Sequence, residues 1–462
     1  MTEPFQYKDL EALAIALPLE VDSLRRSGDF DGELACIDRL LKCGDLPLSM
    51  QTRLRMEQVI ARGMREDYRM DRARFLARLQ EKYPKCDEAL LEKLLASGHV
   101  DTILVGGELR FQRAAVSNTL NCCRKLLEEN EHPETEFVYP EDTLLRENHR
   151  LMKKNGGRAF RYRVRLSLTV DEEAQRAGKR IRVWLPMPAK CAEQSDIVLL
   201  DSSGAPHLSG GKQPTAFFEE VYTPGKEFFV EFAYTHRMPY FALNTADVSD
   251  EQPHFYTEEM LPHIQFTPTL RALATELRGG ETNPLLIARR IYDYITSNVK
   301  YSYMREYLLL DNISEFCAVN RRGDCGVQAL LFITLCRILG IPARWQSGNA
   351  VKPTGSIGSH DWAMFYVAPW GWLYADPSYG GGAKRRGDEV LCSHYFGNLD
   401  PFRMVCATEV QQPFSPEKTF LRDDPYDNQS GEAEWEDFPL HASGLIKRKK
   451  ILEVEEVPYA GV

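Results

Sequence analysis

A chain of 462 residues is too long for one ordinary core, and its length suggests roughly two to four domains. Its 43% hydrophobic and 27% charged content is that of a globular protein in water. The net charge of −10 argues against a general nucleic-acid binder, which needs a broad basic surface. The N-terminus carries acidic residues where a secretory signal needs basic ones, and no apolar run approaches the roughly 18 residues of a spanning helix. No membrane partner is therefore expected. The eleven cysteines follow neither a disulfide framework nor a zinc spacing, so a reducing cytoplasm is the expected compartment and no metal or cofactor is expected.

Taken in chain order, residues 1–130 show helical periodicity. "GELACIDRLLKCG" places Leu34, Ile37, Leu40 and Leu41 on one face, and residues 51–83 read as one or two charged helices. A short helix ends near Gly98, before a turn or strand. Residues 131–158, with prolines, charges and paired glycines, read as a linker. The period then changes to two. "AFRYRVRLSLTV" (159–170), "RIRVWLPMP" (180–188) and "EFFVEFAYTHRM" (227–238) alternate, with turn-rich segments between them, which predicts an antiparallel β-sandwich over 159–248. Helical periodicity returns in "NPLLIARRIYDYITSN", followed by a second helix and three strands, an α+β pattern over 249–405. Residues 406–462 form a C-terminal extension. The acidic stretch 421–438 lacks the ligand spacing of a calcium loop and reads as an exposed tail, and "KRKK" (447–450) reads as exposed lysines.

The chemistry concentrates around "RRGDCGVQALLFITLCRILGIPARW". Asp324 is placed to cap a helix, Gly326 is small, and the helix that follows is apolar on nearly every face, so it must be buried. Cys325 then lies at a helix N-terminus. The positive helix end and unpaired N–H groups there lower a thiol's pKa from its free value near 8.5, and the residue's own N–H can meet an oxyanion. Cys336, inside the same helix, has neither advantage.

A cysteine nucleophile needs a base. His360 opens the strand "HDWAMFYV" and Asp376 closes "WLYAD", with the turn "APWG" between them. A hairpin about that turn brings residue 376 opposite about 363, and His360 and Asp376 to one open end within side-chain reach. There the carboxylate can hold the imidazole's tautomer and direction. His394, His254 and His263 lack such a partner in the sequence and read as loop or packing residues.

"GDCGVQALLFITLCRILGIPARW", "HDWAMFYV" and "WLYADPS", in this order, resemble the core of the transglutaminase-like superfamily, over roughly 283–380. The resemblance implies a papain-related α+β fold in a multidomain α+β chain. It also implies a catalytic triad: Cys325 as nucleophile, His360 as base and acid, and Asp376 as orienting carboxylate. The chemistry implied is acyl transfer on a protein or peptide amide through a thioester. Hydrolysis, as in a cysteine protease or amidase, is the expected outcome. Cross-linking of glutamine to lysine and a non-enzymatic scaffold with an occluded site are the alternatives. A second oxyanion donor is less evident, with Tyr301 ahead of Tyr303 and Asn320. The tryptophans of this core (Trp345, Trp362, Trp370 and Trp372) read mainly as packing.

Overall fold

The computed structural model of the chain describes residue 5 and residues 7–123, 126–127 and 140–461. In the first region, helices Leu19–Ser27, Phe30–Cys43, Leu48–Asp67, Arg72–Gln80 and Glu88–Ala96 precede a hairpin of β1 (Thr102–Val105) and β2 (Glu108–Phe111) and then helix Ala115–Cys122. Asp29, Asp71 and Asp87 each accept an N–H from the first turn of the helix they precede, satisfying donors that have no partner within the helix. One small core joins Phe30, Met56 and Ile60 to Leu308 and Leu309, from the segment just ahead of Cys325. Arg25 and Arg53 extend the same contact by reaching Asp311. The helical region is thus docked on the chain that leads into the cysteine helix.

Of the expected linker, residues 131–139 lie outside the described residues. The rest departs from the expectation, because Pro140–Asn155 is a helix. Leu145 and Met152, two turns apart among charged residues, insert into the main core, and Arg146 pairs with Asp388 at 2.5 Å.

The sandwich consists of two antiparallel sheets. In chain order its first strands are β3 (Gly157–Val170), β4 (Arg180–Pro186), β5 (Gln194–Ser202), β6 (His207–Leu208), β7 (Thr215–Val221) and β8 (Glu227–Pro239). Phe160, Tyr162, Val164, Leu166 and Leu168 are buried, as their alternation predicts.

The α+β region has helices Pro268–Arg278 and Pro284–Asn298, β9 (Lys300–Tyr301), helix Ile313–Asn320, β10 (Arg322–Gly323) and the cysteine helix Cys325–Ile338. Next come β11 (Ala343–Val351), β12 (Ile357–Val367), β13 (Gly371–Ala375), helices Pro377–Arg385 and Glu389–His394, β14 (Phe396–Gly397) and β15 (Arg403–Ala407). They form an antiparallel sheet in the order β14-β13-β12-β11-β15. The cysteine helix is buried from Cys325 to Arg337 and packs on this sheet, with the Phe332 ring 5.6 Å from that of Phe365. Gly340, at φ 78°, follows the helix in the left-handed conformation.

The last segment corrects the reading of residues 406–462 as a simple extension. Strands β16 (Glu432–Trp435), β17 (Phe438–Leu440) and β18 (Leu445–Val457) complete both sandwich sheets, in the orders β17-β16-β4-β7-β6 and β18-β3-β8-β5. Residues 421–438 are not an exposed tail either, since Arg422, Asp427, Asn428, Glu432 and Glu434 are buried. Their charges pair internally: Arg422 and Lys418 hold Glu432, and Arg182 holds Glu434. Among the described residues no helix is long and apolar enough to cross a membrane.

Candidate active site

The β12–β13 hairpin pairs Ala363 with Ala375 and Val367 with Gly371, one residue off the register expected from the turn. The shift matters because neighbouring strand residues face opposite sides. Carried one residue past Ala375, this register sets Asp376 level with Trp362, two residues from His360 and on the same face. His360 Nε2 lies 2.7 Å from Asp376 Oδ2, and both residues are buried. The other oxygen, Oδ1, accepts the Tyr379 N–H at 2.9 Å and the Ser378 hydroxyl at 3.1 Å. Arg403 Nη2 is 3.0 Å from Oδ2.

These contacts fix the charges. Burial alone would raise the Asp376 carboxyl pKa, but His360 and Arg403 outweigh it and hold the group well below the ordinary carboxylate range. Burial lowers the His360 imidazole pKa, against the pull of Asp376. The result is a neutral imidazole beside an anionic carboxylate. With Nε2 donating to Asp376, Nδ1 is left as the basic nitrogen.

Cys325 begins its helix as expected. Asp324 caps it by accepting the Val327 N–H at 3.1 Å, and the Tyr307 hydroxyl donates to the same carboxyl. A Cβ at Gly326 would lie 2.8 Å from both Asp361 Oδ2 and Trp345, so glycine lets the helix approach β12 this closely.

The expectation of a lowered thiol pKa is not met. Cys325 is 8% exposed, and its thiol donates to Asp361 Oδ2 at 3.3 Å rather than to His360. Burial raises its pKa well above the ordinary value, and Asp361 and Asp324 add to the rise. The Asp361 backbone N–H also meets the sulfur, favouring the thiolate in part. The helix end is a modest effect beside desolvation and two acidic neighbours. The sulfur thus addresses Asp361, the β12 neighbour of His360, while the imidazole addresses Asp376.

The sequence did not point to the ring of acids around the thiol. Burial, followed by Asp427 and Asp324, raises the Asp361 carboxyl pKa well above the usual range. Burial also pushes Asp324 up to about 6. Gln429 donates to the other Asp361 oxygen and, at 3.3 Å, to the His360 carbonyl. Lys449, expected to be solvated, donates to Asn349 and, at 2.7 Å, to Ser359 beside His360; burial lowers its pKa to about 8. Asp427, Gln429 and Lys449 come from strands and loops more than 60 residues beyond His360, so local spacing gives no sign of them.

The weaker sequence candidates separate. Tyr301 pairs with Gly323 across β9 and β10; burial, and then the nearby Cys325, raise its phenol pKa. Tyr303 is largely exposed, and Asn320 bonds its own helix carbonyl at Phe316. His263 lies in a turn, as its loop reading predicts, but it is buried there and accepts the Ile313 N–H. His394 is buried too, with its Nδ1 3.1 Å from that of His149. Trp345 and Trp362 are core residues, and the Trp362 indole donates to Gln346 at 2.7 Å.

Residues 271–377 match the family model of the transglutaminase-like superfamily. A protein-glutamine gamma-glutamyltransferase of Pseudomonas aeruginosa is 29% identical over 122 residues, which is 24% of this chain and 18% of that protein. An uncharacterized protein of Bacillus subtilis, YebA, is 27% identical over 129 residues, 24% of this chain and 17% of its own length. The matched segment therefore spans less than a fifth of either curated relative. A solved structure from Cytophaga hutchinsonii, provisionally named a cysteine protease, covers 66% of this chain and 94% of its own, at 14% identity and a TM-score of 0.37. The periplasmic domain of TgpA from Pseudomonas aeruginosa covers 54% of this chain and 95% of its own, at 18% identity and a TM-score of 0.28.

Proposed function

We propose that this chain, which carries a transglutaminase-like core, is a cysteine enzyme that transfers the acyl group of a protein or peptide amide to water. The observation that carries this reading is the buried 2.7 Å pair of His360 Nε2 and Asp376 Oδ2, with His360 next in sequence to Asp361, the residue that holds the Cys325 thiol. The pair leaves a neutral Nδ1 to act as base.

In this reading substrate displaces the thiol from Asp361, the Cys325 side chain turns within reach of the neighbouring His360, and Nδ1 takes its proton. The sulfur then attacks the amide carbonyl carbon. The oxyanion that forms receives the Cys325 backbone N–H and the Tyr301 hydroxyl. His360 returns the proton to the amide nitrogen, the C–N bond breaks, and the amine leaves. The acyl group remains on sulfur as a thioester. Water then gives a proton to Nδ1 and attacks the same carbon. The C–S bond breaks, Nδ1 returns the proton to sulfur, the acid leaves, and the free thiol is regenerated.

Water is the proposed acceptor because it is the smallest nucleophile and needs no amine channel. Transfer to lysine, the reaction that the Pseudomonas relative's name describes, is the alternative. A third reading, a scaffold with an occluded site, is favoured by the hydrogen bond that keeps the thiol on Asp361. A protein or peptide is the proposed partner, with neither nucleic acid nor membrane. The cytoplasm is the proposed compartment, supported by eleven cysteines that are all free thiols.

One assay separates the readings. Casein and a mixed peptide pool are incubated with the wild type and Cys325→Ser, with and without a fluorescent primary amine, and the products are sequenced by mass spectrometry. Hydrolysis yields new acids in the wild type alone. Amine incorporation would replace hydrolysis by cross-linking, and identical products from both proteins would leave the scaffold reading.

A further inference from the structure

We propose that Arg403, from β15 and outside the segment matched to the superfamily, is a positioning residue that holds the Asp376 carboxylate in place and so sets the protonation of His360. This inference rests on the assignment of His360 and Asp376 as the base pair of the site. In the sheet, β15 borders β11, and β11 and β12 separate it from β13. The Arg403 side chain nevertheless meets Asp376, the residue that follows β13. Its Nη2 lies 3.0 Å from Asp376 Oδ2, the oxygen that His360 also engages, and 2.8 Å from Asp400 Oδ2. Arg403 and Asp376 are fully buried, and Asp400 nearly so.

The guanidinium is gripped on several sides. Its carbon lies 5.1 Å from the Trp362 ring centre and 4.7 Å from that of Tyr379, and the Tyr379 ring is 4.4 Å from the His360 ring. Tyr395, whose hydroxyl donates to Asp400 at 3.1 Å, closes a further side. The titratable groups facing Arg403 are therefore Asp376, Asp400, Tyr379 and Tyr395, with His236 and His394 further off in its field. Two buried carboxylates beside one fixed cation leave the ion cluster a single net negative charge next to the neutral imidazole, and a planar fork can address both at once. The single Asp376 oxygen shared by Arg403 and His360 makes the imidazole's Nε2–H bond depend on where Arg403 holds that oxygen. Arg403 also opposes protonation of His360.

The test needs no substrate, so it is independent of whether acyl transfer is found. The imidazoles are labelled with nitrogen-15, and His360 is assigned by the loss of its signals in His360→Gln. Its titration midpoint is compared between Asp400→Asn and the charge-balanced pair Asp400→Asn with Arg403→Gln. Removing Arg403 in this background is expected to raise the midpoint by about one pH unit, a tenfold change in the protonation equilibrium. Arg403→Lys in the otherwise intact chain keeps the charge but loses the fork, and exchange of the Nε2 proton is expected to rise at least about tenfold, by weakening of the Asp376 contact. A midpoint equal to that of Asp400→Asn, or unchanged exchange in Arg403→Lys, would overturn the role. Acyl transfer by Cys325 with an unmoved His360 midpoint would reject this inference alone. A moved midpoint without acyl transfer would reject the proposed function alone.

Discussion

Cys325 Sγ and Asp361 Oδ2 are 3.3 Å apart, so the thiol donates its hydrogen bond to the residue beside His360 rather than to His360 itself. This contact opposes the helix N-terminus, and it makes the resting thiol a poor nucleophile at neutral pH. Replacing Asp361 with Asn removes a titratable carboxyl, and any charge it carries, from beside the sulfur while keeping the shape. Iodoacetamide labelling of Cys325 at pH 7 is expected to accelerate roughly tenfold, the change that about 1.4 kcal/mol of thiolate stabilisation brings. Cys336, buried in the same helix with burial alone raising its pKa, is the control whose labelling stays slow. Equal labelling of Cys325 in wild type and variant would remove Asp361 from the account.

The helical region grips the chain ahead of Cys325 through one side chain in particular. Asn118 donates to the Tyr303 carbonyl at 2.8 Å and accepts the Tyr303 N–H at 2.7 Å. Asn118→Ala leaves both backbone groups without these partners, a cost of about 1–3 kcal/mol. If the helical region acts as a lid through this contact, Cys325 labelling rises while global stability falls only by that amount. A loss of stability with unchanged labelling would make the contact structural alone.

The docking interface also carries a buried ion pair. Arg53 and Glu57 are 2.5 Å apart with side chains 2% and 0% exposed, and Glu33 lies beside them with its pKa pushed up to about 8, mainly by burial and then by Glu57. Arg53→Met leaves the carboxylates with less compensation and is expected to destabilise the helical region by roughly 3 kcal/mol in urea unfolding. Arg26→Met, at a pair whose arginine is 80% exposed, is expected to change stability by no more than about 0.5 kcal/mol. Equal effects would show that burial does not distinguish the two pairs.

Acid stability depends on histidines that are buried neutral. His263 accepts the Ile313 N–H at 3.2 Å, and burial lowers its pKa to about 3. Its ordinary value is near 6.5, so between about pH 6.5 and 3 the unfolded chain binds a proton that the folded chain excludes. Stability is therefore lost as pH falls through this window, by about 1.4 kcal/mol per pH unit from this residue. Glutamine can accept the same N–H without titrating. Between pH 7 and 5 the wild type is expected to lose about 2 kcal/mol more than His263→Gln in urea unfolding. Parallel losses would contradict the assignment.

Much of the site was legible because its parts are local. The cap at Asp324, the small Gly326 and the apolar run to Cys336 specify a buried helix with Cys325 at its start. A tight turn after Val367 specifies a hairpin that brings His360 and Asp376 together. Even there, turn sequence left the register uncertain by one residue, and that residue decides which face Asp376 occupies. The partners that retune the site were not legible. Asp427, Gln429 and Lys449 arrive through long-range sheet pairing, and a segment dense in acids reads as solvated until Arg182, Lys418 and Arg422 are seen to pair with it. The edge strand β18 hides its alternation because lysines, arginines and glutamates occupy both its faces. The helix at Pro140–Asn155 is held by only a few apolar residues among charges, so its composition resembled a linker.

The central claim is that Cys325 accepts an acyl group with the help of His360. The most direct measurement uses p-nitrophenyl acetate, a small activated acyl donor, and follows nitrophenol release while peptide mass spectrometry locates the acetyl group. The account predicts an acetyl thioester on Cys325 in the wild type, strongly reduced in His360→Ala and absent in Cys325→Ser. Nitrophenol release at the same rate from all three proteins, with no acetyl group on the Cys325 peptide, would contradict it.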